Sequence, residues 1–449
     1  MKTAAIALLS LVLAGCGQTY GVSSNASGAV HDLPSLQQTA SSKIHHVVII
    51  FQENRSVDNL FHGLAGADTA RSGKNSEGKT VTLQPEALAG TYDESHDHNA
   101  FQTEVANGLL DGFDLVGSAC KRGKQCPPKD VRAYRYVPHD QVAPYFQLAT
   151  TYAFADRMFQ TNQGPSFPAH QYIVSGTSTI SDGSPLRASS NAFAPAGGFT
   201  GGCDSPVGSF VRLIDEFGSE NQTAYPCFDR LSLMTLLDRK SLSWRYYLAK
   251  LAPGLWNAPD ALAGIRASKS YATHVVGPPS AVLTDISAGR LADVVWVTPT
   301  AAESDHAGLN TGLGPSWVAS VVNAIGTSAY WNDTAIFITW DDWGGWYDHV
   351  PPQQYNSYEL GFRVPLIVVS PYARRHYVSH RRHEFGSLLK FVEETFGLPS
   401  MHTTDERADD LADCFDFSKA PASFRTIAAP YGREYFLRQP VSSEAPDDD

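Results

Sequence analysis

Four short apolar runs constrain this chain more than any other feature: His46-Val47-Val48-Ile49-Ile50-Phe51, Val294-Val295-Trp296-Val297, Ala335-Ile336-Phe337-Ile338-Thr339-Trp340 and Val364-Pro365-Leu366-Ile367-Val368-Val369. They are continuous rather than alternating, so a strand built from any of them buries both faces, the pattern of parallel strands covered on two sides. Between them the apolar spacing turns helical, at Ser316 to Ile325 (Trp317, Val318, Val321, Val322, Ile325) and at Phe385 to Phe396 (Leu388, Leu389, Val392, Phe396). Strands alternating with helices predict an α/β fold, a doubly wound and mostly parallel central sheet with helices on both faces. Two polar, loop-rich stretches, about Gly63 to Val142 and Ser181 to Pro226, are expected as insertions over that sheet.

In such sheets ligands bind beyond the carboxyl ends of the strands, so the residues just past each run are the ones to inspect. The first run passes into Gln52-Glu53-Asn54-Arg55-Ser56, the third into Asp341-Asp342-Trp343-Gly344-Gly345-Trp346-Tyr347-Asp348-His349, and the second, after a short loop, into Glu303-Ser304-Asp305-His306. Separate strand ends thus deliver carboxylates, an amide and an imidazole to one rim, and such oxygen and nitrogen donors from different elements can converge on a divalent cation. Two adjacent carboxylates after a buried strand repel unless a cation offsets them. Asp341-Asp342 as a solvent-facing loop cap, or Glu53-Asn54 as a plain helix start before Val57-Asp58-Asn59-Leu60, would explain either pair alone. Their joint occurrence favours the cation. Gly344-Gly345 would let backbone approach a ligand closely.

A nucleophile candidate lies in Gln163-Gly164-Pro165-Ser166-Phe167-Pro168-Ala169-His170, where Ser166 precedes a plausible helix, Gln171 to Ser175. A hydroxyl at a helix N-terminus sits where backbone N–H groups favour an anion, and a metal can lower its pKa; a simple helix cap is the plainer role of such a serine. No Gly-x-Ser-x-Gly elbow comes after a strand, which argues against a Ser-His-Asp hydrolase. His96 and His98, in Asp93-Glu94-Ser95-His96-Asp97-His98, form a loop cluster suited to metal binding or acid catalysis. His45, His46, His380 and His383 are expected as surface or packing residues.

The N-terminus carries Lys2, an apolar run from Ala4 to Ala14, and Leu13-Ala14-Gly15-Cys16. The run is too short to span a bilayer and suits a signal peptide; the last four residues match the bacterial lipobox, so Cys16 is expected to be acylated and to anchor the protein. The expected organisation is a lipoprotein signal peptide at 1–15, a flexible tether at 16–42, one catalytic domain at 43–440 and a disordered acidic tail at 441–449. The expected location is the bacterial cell envelope, lipid-anchored in the periplasm or outer membrane, or the secreted fraction. In an oxidising compartment, Cys120 with Cys126 and Cys203 with Cys227 are the simplest pairs, leaving Cys414 unpaired. Lys and Arg total 34 against 46 Asp and Glu, a net charge of −12, which argues against a nucleic-acid partner.

Taken in order, these motifs resemble the bacterial phosphoesterase family that contains the non-zinc phospholipases C and a respiratory-burst-inhibiting acid phosphatase, within the alkaline-phosphatase-like superfamily. The resemblance runs from about Lys43 to Pro399. It rests on His46 to Asp58, Ser95-His96-Asp97, Leu110-Asp111-Gly112-Phe113, Gly164-Pro165-Ser166, Asp305-His306, Trp340 to Gly345, Asp348-His349-Val350-Pro351-Pro352 and Arg363 to Pro371. It implies a divalent metal ion held by Glu53, Asn54, Asp341 and Asp342, with Ser166 facing it as ligand and nucleophile. His96 and His306 match histidines expected to contact phosphate oxygens or protonate the leaving group. His349 matches a further motif position, a catalytic candidate with a less defined role. The oxygen-rich ligands point to Ca, Mg or Mn, while the imidazoles leave Zn and Fe open.

The implied reaction is hydrolysis of a phosphoric ester through a phosphoseryl intermediate, the partner being a small phosphate ester or a phospholipid headgroup. The sequence departs from the family pattern where Pro168-Ala169-His170 replaces the usual Pro-Asn-Arg, so that a polar contact is missing or replaced. It follows the phosphatase branch in having Asp341-Asp342 rather than Asp-Glu. The chain also ends soon after the matched region, without the additional C-terminal β-domains of larger members. These features favour a phosphomonoesterase, with a phospholipase C-type phosphodiesterase as the alternative. A sulfatase-like or phosphonate-cleaving enzyme and a non-catalytic metal- and phosphate-binding surface lipoprotein are the other classes. Trp343, Trp346 and Tyr347 are expected in core and rim packing, with a choline-binding aromatic cage as the alternative.

Overall fold

The structure is a computed structural model that describes residues 40 and 42–440. The expected signal peptide and acylation at Cys16, most of the expected tether and the acidic tail at 441–449 lie outside the described residues. Ala40 is fully buried, and its carbonyl accepts hydrogen bonds from the N–H groups of Lys43 and Ile44.

The central sheet has eight strands. In chain order they are β1 (His46–Gln52), β2 (Ala153–Ala155), β3 (Trp244–Tyr247), β4 (Val275–Val276), β5 (Val294–Val297), β6 (Thr334–Trp340), β7 (Leu366–Val369) and β8 (Tyr377–Ser379). Across the sheet they run β4-β3-β5-β1-β6-β7-β2-β8. The strands β4, β3, β5, β1 and β6 are mutually parallel, as expected for β5, β1 and β6 from their unbroken apolar runs; β3 and β4 join them without such a run. The fourth run departs from expectation: β7 is antiparallel to both β6 and β2. A run buried on both faces does not encode direction. Residues 341–365 form no crossover helix, so the chain leaves the end of β6, loops along the rim and re-enters the sheet in reverse.

Helices cover both faces. The relevant ones are α1 (His98–Val105), α2 (Ala143–Thr151), α3 (Ser166–Ser175), α4 (Gly314–Gly326) and α5 (Phe385–Phe396). Strand alternation assigns the sides. Phe337 of β6 stands edge-on to Phe391 of α5, and Phe51 of β1 edge-on to Phe385, whereas Trp340 meets Tyr145 of α2. Phe51 and Phe337 are an even number of register steps apart across β1 and β6, while Trp340 lies on the opposite parity, so α5 and α2 occupy opposite layers. The α4 helix exceeds the predicted Ser316 to Ile325 by Gly314 and Pro315 at its start and Gly326 at its end; Pro315 fits the first turn because an N–H there has no intrahelical partner. The α5 boundaries match the periodicity, and Gly397 ends the helix at φ 60°.

The predicted insertions form small two- and three-stranded sheets and α1. Disulfides join Cys120 to Cys126 and Cys203 to Cys227, and Cys414 is a buried free thiol. Among the described residues no helix is long and apolar enough to cross a membrane.

Candidate active site

The site follows from one register. β1 and β6 are parallel neighbours paired from His46 with Thr334 to Gln52 with Trp340. The next residues therefore leave the sheet side by side: Glu53 and Asn54 from β1, Asp341 and Asp342 from β6. The Asp341 N–H still donates to Gln52 O at 3.0 Å, and the Asn54 N–H donates to Asp341 Oδ1 at 3.2 Å. Asn54 has φ 62°, a left-handed conformation that asparagine tolerates better than most residues. That turn brings its side chain to Asp342, with Nδ2 donating to Asp342 Oδ2 at 3.3 Å.

Gly344 holds the two turns together. A Cβ there would lie 2.4 Å from Asn54 O, and one on Gly345 would lie 2.5 Å from the Glu94 Cβ. The close approach that these glycines permit is thus to neighbouring chain segments, which corrects the expectation of an approach to a ligand. The Gly344 N–H also donates to Asp342 Oδ1 at 2.8 Å, which leaves Oδ2 turned to the site.

Ser166 begins α3, with Pro165 at the cap position. It is a first-turn residue rather than a cap, and the helix starts five residues before the predicted Gln171. Its hydroxyl donates to Asp342 Oδ2 at 3.3 Å. His96 presents Nε2 to Asn54 Nδ2 at 2.9 Å and lies 3.9 Å from Asp342 Oδ2, while its Nδ1 donates to Glu94 O at 2.8 Å. His306 donates from Nδ1 to Ala307 O at 2.7 Å, and its ring stands edge-on to His96 with centroids 5.9 Å apart. Glu53, Asn54, Ser166, Asp341, Asp342, His96 and His306 are all buried. Seven predicted residues from five separate chain segments thus occupy one region of the rim.

These residues fit a divalent cation. Three carboxylates share an enclosed space, and Asn54 Oδ1 and Asp341 Oδ2 are enclosed with no hydrogen-bond partner among the described residues. Each bare acceptor costs roughly 1–3 kcal/mol, a cost that a cation at this position would remove. Glu53, Asn54, Asp341, Asp342 and the Ser166 hydroxyl would supply the donors.

His349 is placed elsewhere. Its Nδ1 meets Asp58 Oδ2 at 2.6 Å and its Nε2 meets Asp68 Oδ1 at 3.0 Å. Beside it, the fully buried Arg363 grips Asp348 through Nε at 2.8 Å and Nη2 at 3.0 Å. This charged knot ties the rim loop to the first insertion, and Arg363 supplies the countercharge that its aspartates need. Burial pulls the His349 imidazole toward its neutral form, but the hydrogen bond and charge of Asp58 outweigh this and raise its pKa. Its contribution to stability is therefore full below the unfolded value of about 6.5 and fades as pH rises through the higher folded value. The melting-temperature gap between wild type and His349→Gln should be largest below about pH 6.5 and shrink in mild alkali. A gap independent of pH would contradict this role.

The other rim groups have structural roles. Glu303 folds back on Thr300, with its Oε2 accepting from the Thr300 hydroxyl at 3.0 Å. Asp305 accepts from Tyr145 at 2.8 Å and Trp340 at 3.0 Å, and burial pushes its carboxyl up to about 6. His98 pairs with Glu220 at 2.7 Å. Trp343 donates to Glu104 at 2.7 Å, Trp346 lies under the Arg55 guanidinium, and Tyr347 joins an aromatic cluster with Phe113 and Tyr134. All three rings are buried in packing, the role expected of them.

Sequence reasoning missed His170. Its Nε2 lies 3.0 Å from Glu53 Oε1 and 3.8 Å from Asp341 Oδ2. The signal was present: once α3 begins at Ser166, His170 is four residues on and shares its face.

The chain belongs to the Phosphoesterase family, which matches residues 44–399. Among characterised relatives, the hemolytic phospholipase C of Pseudomonas aeruginosa is 24% identical over 86% of this chain and 58% of its own length. Phospholipase C A of Mycobacterium tuberculosis is 25% identical over 85% of this chain and 79% of its own. This chain thus spans little more than half of the first of these relatives. A solved alkaline-phosphatase-superfamily protein from Vibrio parahaemolyticus aligns over 82% of this chain and 74% of its own, with 9% identity and a TM-score of 0.37.

Proposed function

We propose that this protein is a metal-dependent phosphoric ester hydrolase that uses Ser166 as its nucleophile and acts on phosphomonoesters. The observation that carries the reading is the Ser166 hydroxyl held 3.3 Å from Asp342 Oδ2, at the start of α3 and beside the carboxylates from two adjacent strand ends. A bound divalent ion would favour the serine alkoxide and neutralise charge on phosphoryl oxygens. Ser166 Oγ attacks phosphorus, the P–O bond to the leaving group breaks, and water later hydrolyses the phosphoseryl ester. The Phe167 N–H at the α3 N-terminus is already taken by Asn191 Oδ1 at 3.0 Å and Pro168 has none, so the helix start acts on the phosphoryl anion through its dipole. His306 and His96 each have Nδ1 fixed by a backbone carbonyl, which sets their rings and leaves Nε2 as the nitrogen that exchanges a proton. In imidazolium form one of them protonates the leaving oxygen.

The monoester preference is supported by Asp341-Asp342, which follows the acid phosphatase branch, and by the commitment of Trp343, Trp346 and Tyr347 to packing rather than to a cage for a cationic headgroup. The names of the relatives favour a second reading, a phospholipase C-type phosphodiesterase. Purified protein lacking the first 16 residues should hydrolyse an aryl phosphate, and a chelator should abolish the activity. Cleavage of aryl phosphorylcholine and phosphatidylcholine in its place would support the second reading. Rates unaffected by the chelator would oppose both. Anchoring through acylated Cys16 in the cell envelope is part of the same proposal, and radiolabelled palmitate incorporation that is lost in Cys16→Ala tests it.

A further inference from the structure

The geometry points to His170 as a direct nitrogen ligand of the metal, so that the centre selects a borderline first-row transition ion such as Zn²⁺ or Fe²⁺ over Ca²⁺ or Mg²⁺. The inference rests on the metal-dependent reading above and extends it to the identity of the ion. His170 sits one helical turn after Ser166 on α3 and is fully buried. One ligand atom from each of Glu53, His170 and Asp341 lies within 4.8 Å of the other two. Two ligands about 2.1 Å from one ion at a right angle lie about 3.0 Å apart, which is the separation of His170 Nε2 from Glu53 Oε1.

The far side of the ring sets the tautomer. Its Nδ1 lies 3.5 Å from the Tyr246 hydroxyl oxygen, and that hydroxyl donates its own hydrogen to Trp256 O at 2.8 Å. Only a proton on Nδ1 makes that contact favourable, and in a neutral ring Nε2 then carries a lone pair. Without metal, a protonated Nε2 hydrogen-bonds to Glu53 Oε1 at 3.0 Å; a cation at the same point would take the place of that proton between the nitrogen and the carboxylate oxygens. Trp256 stacks on the ring with a 19° interplanar angle and holds it in place. Tyr246 therefore has the part that carboxylates and carbonyls have behind other metal-bound histidines, fixing ring orientation from the outer side. An imidazole in a carboxylate set moves preference away from hard cations and toward Zn²⁺ and Fe²⁺.

The test uses chelator-stripped protein titrated calorimetrically with Zn²⁺ and, separately, with Mg²⁺. His170→Gln should lose more in Zn²⁺ affinity than the roughly 10–100-fold that removal of an outer-shell partner costs, and little in Mg²⁺ affinity; equal losses for both ions, or none, would overturn the assignment. Pulsed EPR with Mn²⁺ as spin probe gives a readout independent of activity. Wild type should show a directly bound imidazole nitrogen that disappears in His170→Gln and persists in His96→Gln. A nitrogen signal that follows His96, or no nitrogen signal in wild type, overturns the proposal even if His170→Gln folds poorly. If Ser166-dependent, metal-dependent hydrolysis stands and the nitrogen signal is absent, only this inference fails. If no ion binds, the functional reading fails with it.

Discussion

Ser166→Ala should lower hydrolysis of an aryl phosphate by about 10⁴–10⁶-fold, the scale on which loss of a serine nucleophile is felt in serine hydrolases. The expectation comes from position rather than from residue type. The hydroxyl is buried, in the first turn of α3, and donates to the carboxylate of Asp342. No second hydroxyl is needed to explain the arrangement. The variant removes one oxygen and leaves the carboxylates, Asn54 and the imidazoles in place, so the fold and inorganic phosphate binding should persist. Calorimetric titration with phosphate checks the binding, and single-turnover kinetics check the chemistry. Turnover within a few-fold of wild type would remove the serine from the mechanism.

The double change Asp341→Asn, Asp342→Asn should strip most of the metal, as measured by elemental analysis of protein purified without chelator, and hydrolysis should fall with it. The pair forms because β6 ends beside β1, so two of the three carboxylates in the cluster come from one dipeptide. Amides of the same shape keep most hydrogen bonds but lose the charge that attracts the ion. A second readout carries the opposite sign. With no metal present, like charges in a buried space destabilise the wild type, so the chelator-treated double variant should melt above the chelator-treated wild type. Unchanged metal content would refute these ligands, and a lower melting point for the stripped variant would show that the carboxylates do not repel one another.

Much of this was legible in the sequence because burial leaves a simple signature. The runs at β1, β5 and β6 are apolar throughout and give way to polar residues, so the strand ends and the rim could be read directly. The direction of β7 could not, because a doubly buried strand has the same composition whichever way it runs, and orientation is set by the connection. The short strands β2, β3, β4 and β8 left little pattern; Trp244 to Tyr247, for instance, mixes Arg245 with aromatics. His349 shows the limit of adjacency in sequence. It lies in the same loop as Asp341 and Asp342, yet the turn through Gly344 and Gly345 carries it to Asp58 and Asp68. His170 shows the reverse: a misplaced helix start hid an imidazole that the fold brings against Glu53.

The proposed catalysis depends on the convergence of Ser166 with the acidic strand ends into one reactive centre. Acid quenching of the metal-loaded enzyme during turnover of an aryl phosphate, followed by peptide mass spectrometry, tests this most directly. The expected result is a phosphate on Ser166 that is absent after chelation and absent in the Asp341→Asn, Asp342→Asn protein. Phosphate on a different side chain, or full turnover with Ser166 never phosphorylated under any quench, would contradict it.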